Sequence, residues 1–356
     1  MKKVAIVGTV GVPACYGGFE SLIENIIGTN CSRNIEYTIF CSSKDMPDKQ
    51  ESYKGCSLKY IPLHANGIQS IGYDILSMIH SIRGYDVILV LGVSGCIFLP
   101  GLKFISRAKI IVNIDGLEHK REKWGKIARR FLRFSEGCAV RFADTIIADN
   151  KGIQDYVRNT YRKETVLIAY GGDHVLRKVS EEQQNYILRE YNLKSGEYAI
   201  CICRIEPENN SHIILSAFAR TKHTLVFVGN WERCEYSRSL KEKYKAYPNI
   251  SLIDPVYDLD ILYTLRNNCR CYVHGHSAGG TNPSLVEAMF FGKPILAYDV
   301  IYNRETTANT IYYFRNKTEL QSLLQQTTLK GNGIEELAKE QYTWKHIANQ
   351  YETLYK

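Results

Sequence analysis

CYVHGHSAGGTNPSLVEAMFFGKPILA, from Cys271 to Ala297, contains a whole structural unit. The apolar run Cys271 to His274 reads as a strand, and Pro294 to Ala297 reads as the next. Between them Thr281 and Asn282 are good N-caps, Pro283 suits a first helical turn, and Gly292 followed by Pro294 marks a stop. Strand, short helix and strand in succession predict a βαβ crossover, hence parallel pairing.

The same alternation extends outward in both directions. On the carboxy-terminal side of the chain, strands are expected at Ala199 to Ile202, Thr224 to Val228 and Ser251 to Ile253, with helical stretches between them. Toward the amino terminus they are expected at Val4 to Val7, Tyr37 to Cys41, Leu58 to Ile61, Val87 to Leu91, Lys109 to Ile114, Thr145 to Ala148 and Thr165 to Ala169. Helical patterns there include Phe19 to Ile27, Tyr73 to Ile82 and Ile127 to Phe142. Tyr170-Gly171-Gly172-Asp173 and the polar stretch Ser180 to Asn185 interrupt the series, which predicts a hinge between two doubly wound sheets. The expected domains are residues 1–173 and 174–333, followed by a C-terminal segment, residues 334–356, whose one helix over Ile334 to Tyr355 belongs to neither sheet and is free to pack back on the amino-terminal domain.

Composition agrees with this. The 356 residues exceed one compact core, 45% of them are hydrophobic, and 23% are charged, which argues against wholesale disorder. A net charge of +8, from 45 Lys and Arg against 37 Asp and Glu, favours anionic partners. Eleven cysteines are scattered singly apart from Cys201 and Cys203, a pattern expected of a reducing cytosol. The start, MKKVAIVGTVGVPAC, imitates a secretory or lipoprotein leader, but Gly8 and Gly11 interrupt an apolar run already too short for one. No run reaches the ~20 apolar residues of a membrane span, so membrane contact is expected to be peripheral.

In doubly wound sheets ligands bind outside the carboxyl ends of the strands, so the loops that follow strands are where chemistry is sought. GTVGVPACYGGFE (Gly8 to Glu20) opens a helix near Gly18 and lets backbone approach an anion; its glycines do not fit G-x-G-x-x-G. Gly17, Gly18 and Glu20 are its candidate ligand residues, and a tight turn with no ligand is the other reading. Asp115, in DGLEH at the end of a strand, is a candidate base or orienter for a substrate hydroxyl, or else a turn cap. HKREKWGKIARRFLRF (His119 to Phe134) combines Lys120, Arg121, Lys123, Lys126, Arg129, Arg130 and Arg133 with Trp124, Ile127, Phe131, Leu132 and Phe134. Such a basic amphipathic helix suits an anionic membrane surface, or is an ordinary helix with a solvated basic face.

In the second half, RIEPENN places Arg204 and the amides of Asn209 and Asn210 where a diphosphate would lie, with a surface ion pair to Glu206 or Glu208 as the alternative for Arg204. Gly279, Gly280 and Thr281, together with the cap Asn282 and the backbone amides of Ser284 and Leu285, form a second expected diphosphate contact, and Glu287 is placed to accept bonds from nucleoside sugar hydroxyls. His274 and His276, two apart with no further ligand at suitable spacing, do not predict a metal.

GGTNPSLVEAM resembles the E-x7-E region of family 4 retaining glycosyltransferases of GT-B fold, and RIEPENN resembles their Arg-containing diphosphate motif. GTVGVPACYGGFE, DGLEHKREKWGK, IAYGGD, RIEPENN and HGHSAGGTNPSLVEAM, taken together, resemble bacterial rhamnosyltransferases of the β-1,4-linking type that extend capsular or cell-wall polysaccharides. The resemblance implies two Rossmann-like domains facing a central cleft. It also implies metal-independent, retaining transfer of L-rhamnose from dTDP-β-L-rhamnose to a sugar on an undecaprenyl-diphosphate carrier, at the inner face of the plasma membrane, with no nucleic-acid partner. Arg204 would then hold the diphosphate, Glu287 the deoxyribose, and Asp115 the place of a histidine often found there. Two departures stand out: Gly279 occupies the position of the first glutamate, and Asn209 that of a basic residue. A glycosyltransferase using another nucleotide sugar, a GT-B sugar-nucleotide epimerase and a non-catalytic membrane-associated scaffold are the competing expectations.

Overall fold

The computed structural model describes residues 1–14, 17–29, 34–120 and 124–356. The chain divides into two compact units, Met1–Tyr170 with Trp344–Lys356, and Gly171–Thr343.

The amino-terminal unit is built on a sheet of eight strands: β1 (Lys2–Val7), β2 (Ile35–Ser42), β3 (Ser52–Tyr53), β4 (Cys56–Ile61), β5 (Val87–Leu91), β6 (Lys109–Asn113), β7 (Thr145–Ala148) and β8 (Val166–Leu167). Their spatial order is β3-β4-β2-β1-β5-β6-β7-β8, parallel except for the β3–β4 pair. Val4 to Val7 and Val87 to Leu91 are buried residue after residue. Unbroken apolar runs of this kind fit central parallel strands covered on both faces by helices. The order reverses between β1 and β5, so the loops after these two strands flank the crevice of this sheet. Only Val166–Leu167 of the expected strand Thr165 to Ala169 pairs, because this edge strand has a neighbour on one side alone.

A buried acid near that crevice gives a pH test. Asp74 lies in the helix Gln69–His80 and accepts from the Gly95 amide at 3.1 Å. Burial pushes its pKa up to about 8, against that one opposing hydrogen bond. Between its ordinary value and 8 the unfolded chain is ionised while the folded one keeps the proton, so this group costs more stability as pH rises through that window. Asp74→Asn keeps the shape without the titration. Its thermal midpoint is expected to match wild type near pH 4 and to exceed it increasingly toward pH 8; parallel profiles would show that Asp74 stays ionised.

The carboxy-terminal unit has six parallel strands: β9 (Tyr198–Ile202), β10 (Thr224–Val228), β11 (Ile250–Ile253), β12 (Cys271–His274), β13 (Ile295–Tyr298) and β14 (Tyr312–Phe314). Their order is β11-β10-β9-β12-β13-β14, with the reversal between β9 and β12. Trp231 fills the core, donating to the Ile253 carbonyl at 3.1 Å with its ring edge-on to Phe227.

The single helix expected over Ile334 to Tyr355 is two helices, Ile334–Gln341 and Trp344–Leu354. The break has a physical cause. Buried Tyr342 leaves helical geometry, its carbonyl accepts from the Gly172 amide at 2.8 Å, and its hydroxyl donates to Thr306. Two residues later Trp344 enters the core of the amino-terminal unit, where the Tyr351 hydroxyl meets Asn113 at 2.7 Å and Lys109 reaches the Leu354 carbonyl. Among the described residues no helix is long and apolar enough to cross a membrane.

Candidate active site

The two loops at the reversal point of the second sheet are fastened to each other. Asn209 donates to the Arg204 carbonyl at 2.7 Å within its own loop, and its Oδ1 meets His276 Nδ1 at 2.7 Å across to the other. Asn210 donates to the Gly275 carbonyl at 2.8 Å, and the Ser277 amide donates to the Glu208 carbonyl at 2.9 Å. A Cβ at Gly275 would lie 2.1 Å from the Asn209 carbonyl oxygen, a backbone clash that only glycine avoids. The side-chain amides of Asn209 and Asn210, expected to meet a diphosphate, each give one hydrogen bond to this scaffold. Both residues are buried, so their donors would cost stability if left unpaired.

Arg204 stands beyond this scaffold with 40% of its side chain exposed. Its Nε is 3.9 Å from Glu206 Oε2, too long for a hydrogen bond, and Arg233 approaches the other Glu206 oxygen at 3.4 Å. Arg233 follows β10 and was not anticipated; nothing in its local sequence signals that the loops after β9 and β10 converge on Glu206. Two guanidinium groups flank one carboxylate and leave net positive charge at the strand ends.

The helix Pro283–Met289 starts where expected, with Asn282 as N-cap. Its amides are not available as expected, however. The Ser284 amide donates to Asn282 Oδ1 at 3.0 Å, and that of fully buried Leu285 donates to the Asn282 carbonyl at 3.0 Å. Gly280 adopts φ 92°, a left-handed geometry that favours glycine, Gly279 is half-buried, and Thr281 is buried.

Glu287 is not solvent-facing. One oxygen forms a short ion pair with Arg266, from the helix Leu259–Asn267, and the other lies 3.6 Å from His174 Nε2. The Arg266 side chain is 4% exposed, and among the described residues its Nε has no hydrogen-bond partner. Burial, more than the neighbouring charges, holds the His174 pKa below the ordinary histidine value. Gly172 packs so tightly on this helix that a Cβ would lie 2.9 Å from Val286 Cγ1. Neither Arg266 nor His174 was legible, since each comes from an element distant in sequence.

His274 and His276 do not form a metal pair. His276 is taken by Asn209, while His274 is wholly buried, which pushes its pKa down to about 3. Among the described residues no cluster of three His, Cys, Asp or Glu side chains converges.

In the amino-terminal unit, Gly8 has φ 90° and a Cβ there would sit 2.1 Å from the Leu91 carbonyl oxygen, so the first loop is pressed against β5. Glu20 is buried and accepts from Thr9 Oγ1 at 2.9 Å and the Val10 amide at 2.7 Å, while its second oxygen abuts Gly17. Burial raises its pKa despite these bonds. Glu20, expected as a ligand residue, thus braces the glycine loop from within. Gly18 begins the helix Gly18–Thr29 and faces Tyr170.

Asp115 sits after β6 with φ 56°, unusual for a residue with a side chain, and its amide donates to Asn113 Oδ1 at 3.0 Å. It is within electrostatic reach of Glu20, Tyr170 and Tyr351. His119 does not simply begin the basic stretch: its Nδ1 is 2.9 Å from Glu136, a buried carboxylate that also accepts from Tyr156 and Tyr161. Those three partners outweigh burial and hold the Glu136 pKa below its ordinary value. In the helix Lys126–Phe142, Lys126, Arg130 and Arg133 are exposed, whereas Arg129 is half-buried. Arg121 and Lys123 lie outside the described residues.

Comparison with known proteins fits this architecture. Residues 1–173 match a domain of unknown function (DUF1972), and residues 184–326 match glycosyl transferases group 1. No curated protein matches the sequence. Among solved structures, sucrose-phosphate synthase from Thermosynechococcus elongatus superposes with a TM-score of 0.84 at 16% identity, over 100% of this chain and 98% of that one. Anabaena Alr3699/HepE in complex with UDP-glucose gives 0.77 at 16% identity over 99% of each. The catalytic domain of starch synthase IV from Arabidopsis thaliana, bound to ADP and acarbose, gives 0.73 at 13% identity over 99% and 98%. The two doubly wound units form a GT-B fold, and residues 184–326 form a domain similar to group 1 glycosyl transferases.

Proposed function

We propose that the chain transfers L-rhamnose from dTDP-β-L-rhamnose, with retention of anomeric configuration and without a metal, to a sugar on a lipid diphosphate carrier in surface polysaccharide synthesis. The observation that carries the donor assignment is the pair of guanidinium groups, Arg204 and Arg233, loosely shared by Glu206 at the reversal point of the second sheet. A diphosphate brings enough charge to replace Glu206 there, and Arg233 supplies the cation that Asn209 cannot. HepE, of the same fold, binds UDP-glucose, which supports a nucleoside diphosphate sugar as the ligand class. The five motifs that resemble rhamnosyltransferases support rhamnose as the sugar.

In this reading Glu287, oriented by Arg266, accepts from the deoxyribose hydroxyl, and Gly279, Gly280 and Thr281 line the donor's path. As the bond to the leaving diphosphate breaks, charge accumulates on its oxygens, and Arg204 is placed to stabilise it; such preorganised charge is often the largest catalytic contribution. The leaving diphosphate takes the acceptor's proton, so Asp115 orients the acceptor hydroxyl and no strong base is required. Gly17 and Gly18 let the acceptor approach the backbone of the first loop.

The acceptor's lipid places the reaction at the cytoplasmic face of the plasma membrane. The exposed cations Lys126, Arg130 and Arg133, with Ile127 and Phe134 61% or more exposed beside them, support peripheral attachment there, Arg129 serving at the helix's inner edge.

A screen of dTDP-L-rhamnose against UDP-glucose and other nucleotide sugars, with a short-chain lipid-diphosphate sugar as acceptor, tests the proposal. Rhamnosylated product whose anomeric configuration by NMR matches that of the donor is expected. Product from another donor alone would replace rhamnose, isomerised nucleotide sugar without acceptor would replace transfer by epimerisation, and no binding of dTDP would leave a scaffold.

A further inference from the structure

Along the helix Lys126–Phe142 runs an open groove of about 800 Å³, bordered also by Pro100 and by Tyr161 and Lys163. Phe134, Val140 and Phe142 give it apolar walls, while Arg130, Arg133, Arg141 and Lys163 supply cations. Among the described residues no acidic residue lines it and none of these four cations is ion-paired. Like charges gathered around an apolar hollow repel one another unless an anion joins them. The apolar surface continues outside the groove: Phe104, one turn from Pro100 on its helix, is 89% exposed.

The position of the groove narrows the occupant. The helix leaves the carboxyl-end side of the sheet after β6 and runs into β7, so Arg141 and Phe142 lie at the opposite, amino-end edge, as does Lys163 ahead of β8. Seventeen helical residues span about 25 Å. A sugar acceptor reacting at the carboxyl-end loops cannot keep its own diphosphate at Arg141 and Lys163. Inorganic phosphate leaves the apolar walls unused. A lipid of the bilayer itself meets both requirements.

We propose that this groove holds one acyl chain of an anionic phospholipid, with the phosphate between Arg141 and Lys163, and so fixes the amino-terminal unit on the membrane. The inference rests on the membrane reading given above and adds a specific lipid site to it. Gly137, on the groove face of the helix, provides the test: a Cβ there makes only an ordinary contact of 3.8 Å with Tyr161, whereas a longer side chain projects into the groove. Leucine also favours the helix over glycine, so Gly137→Leu is expected to fold, and Gly137→Ala controls for the backbone change.

Full-length protein is sedimented with vesicles of phosphatidylcholine alone or mixed with phosphatidylglycerol, and titrated with soluble short-chain phosphatidylglycerol and with glycerol phosphate. Partitioning into the mixed vesicles only, and binding of the short-chain lipid but not of glycerol phosphate, are expected. Gly137→Leu and the double variant Arg141→Glu/Lys163→Glu are each expected to weaken both by about tenfold or more, with Gly137→Ala like wild type. If Gly137→Leu binds vesicles and short-chain lipid as wild type does, the groove holds no chain, although the helix still adsorbs to membranes. If wild type ignores the mixed vesicles, the membrane reading fails and this proposal falls with it.

Discussion

Glu287→Ala is expected to unfold the carboxy-terminal unit roughly 6–20 °C below wild type. The change leaves the Arg266 guanidinium, 4% exposed, without its carboxylate, and its Nε already lacks a partner among the described residues. Stranding one member of a buried ion pair costs about 3–5 kcal/mol, and each kcal/mol moves the midpoint of a domain this size by about 2–4 °C. Removing both charges is a different experiment, because two apolar side chains of similar volume need no counter-charge. Glu287→Leu/Arg266→Met should therefore be more stable than Glu287→Ala, and close to wild type. Calorimetry of the three proteins decides the matter. A double variant no more stable than the single one would show that Arg266 is solvated from elsewhere. The comparison also separates folding from function, since a folded double variant that binds dTDP weakly assigns Glu287 and Arg266 to nucleoside recognition.

The same ion pair shows what the sequence could and could not convey. Alternating apolar runs were enough to predict two parallel sheets, because strands buried on both faces leave an unbroken signature such as Val87 to Leu91. The cap at Asn282 was legible because capping is a local matter of two or three residues. Which partner a polar group finally takes is not local. Asn209 and Asn210 look like ligand donors in RIEPENN, yet Asn209 donates back to the Arg204 carbonyl, and once β9 and β12 lie side by side the loop after β12 takes its Oδ1 through His276 and the Asn210 amide through the Gly275 carbonyl. Glu20 looks like a loop carboxylate, but the turn at Thr9 and Val10 folds back on it. Arg266, Arg233 and His174 enter the site from three separate stretches of chain, and only the strand order brings them to Glu287 and Glu206. The helix break at Tyr342 escaped for a related reason: the Gly172 amide that takes its carbonyl lies 170 residues earlier in the chain.

Arg204→Ala is expected to lower kcat/KM by about 10²–10³ while leaving the thermal midpoint nearly unchanged. The side chain is 40% exposed and its contact with Glu206 is a loose 3.9 Å, so little native structure depends on it. The Arg204 carbonyl, which Asn209 uses, survives the substitution. On the proposed reading, what is lost is a donor aimed where charge grows on the leaving diphosphate, and an interaction strongest in the transition state shows itself in kcat more than in KM. Arg204→Lys keeps the charge without the two-pronged donor geometry and should recover only part of the rate. Arg233→Ala separates the two cations further. If Arg233 chiefly offsets the absence of a basic residue at Asn209, its removal should weaken donor binding and raise KM with a smaller effect on kcat. Steady-state kinetics at saturating acceptor distinguish the cases. Near-normal turnover by Arg204→Ala would remove this guanidinium from the diphosphate and place the leaving-group charge elsewhere on the rim of the second sheet.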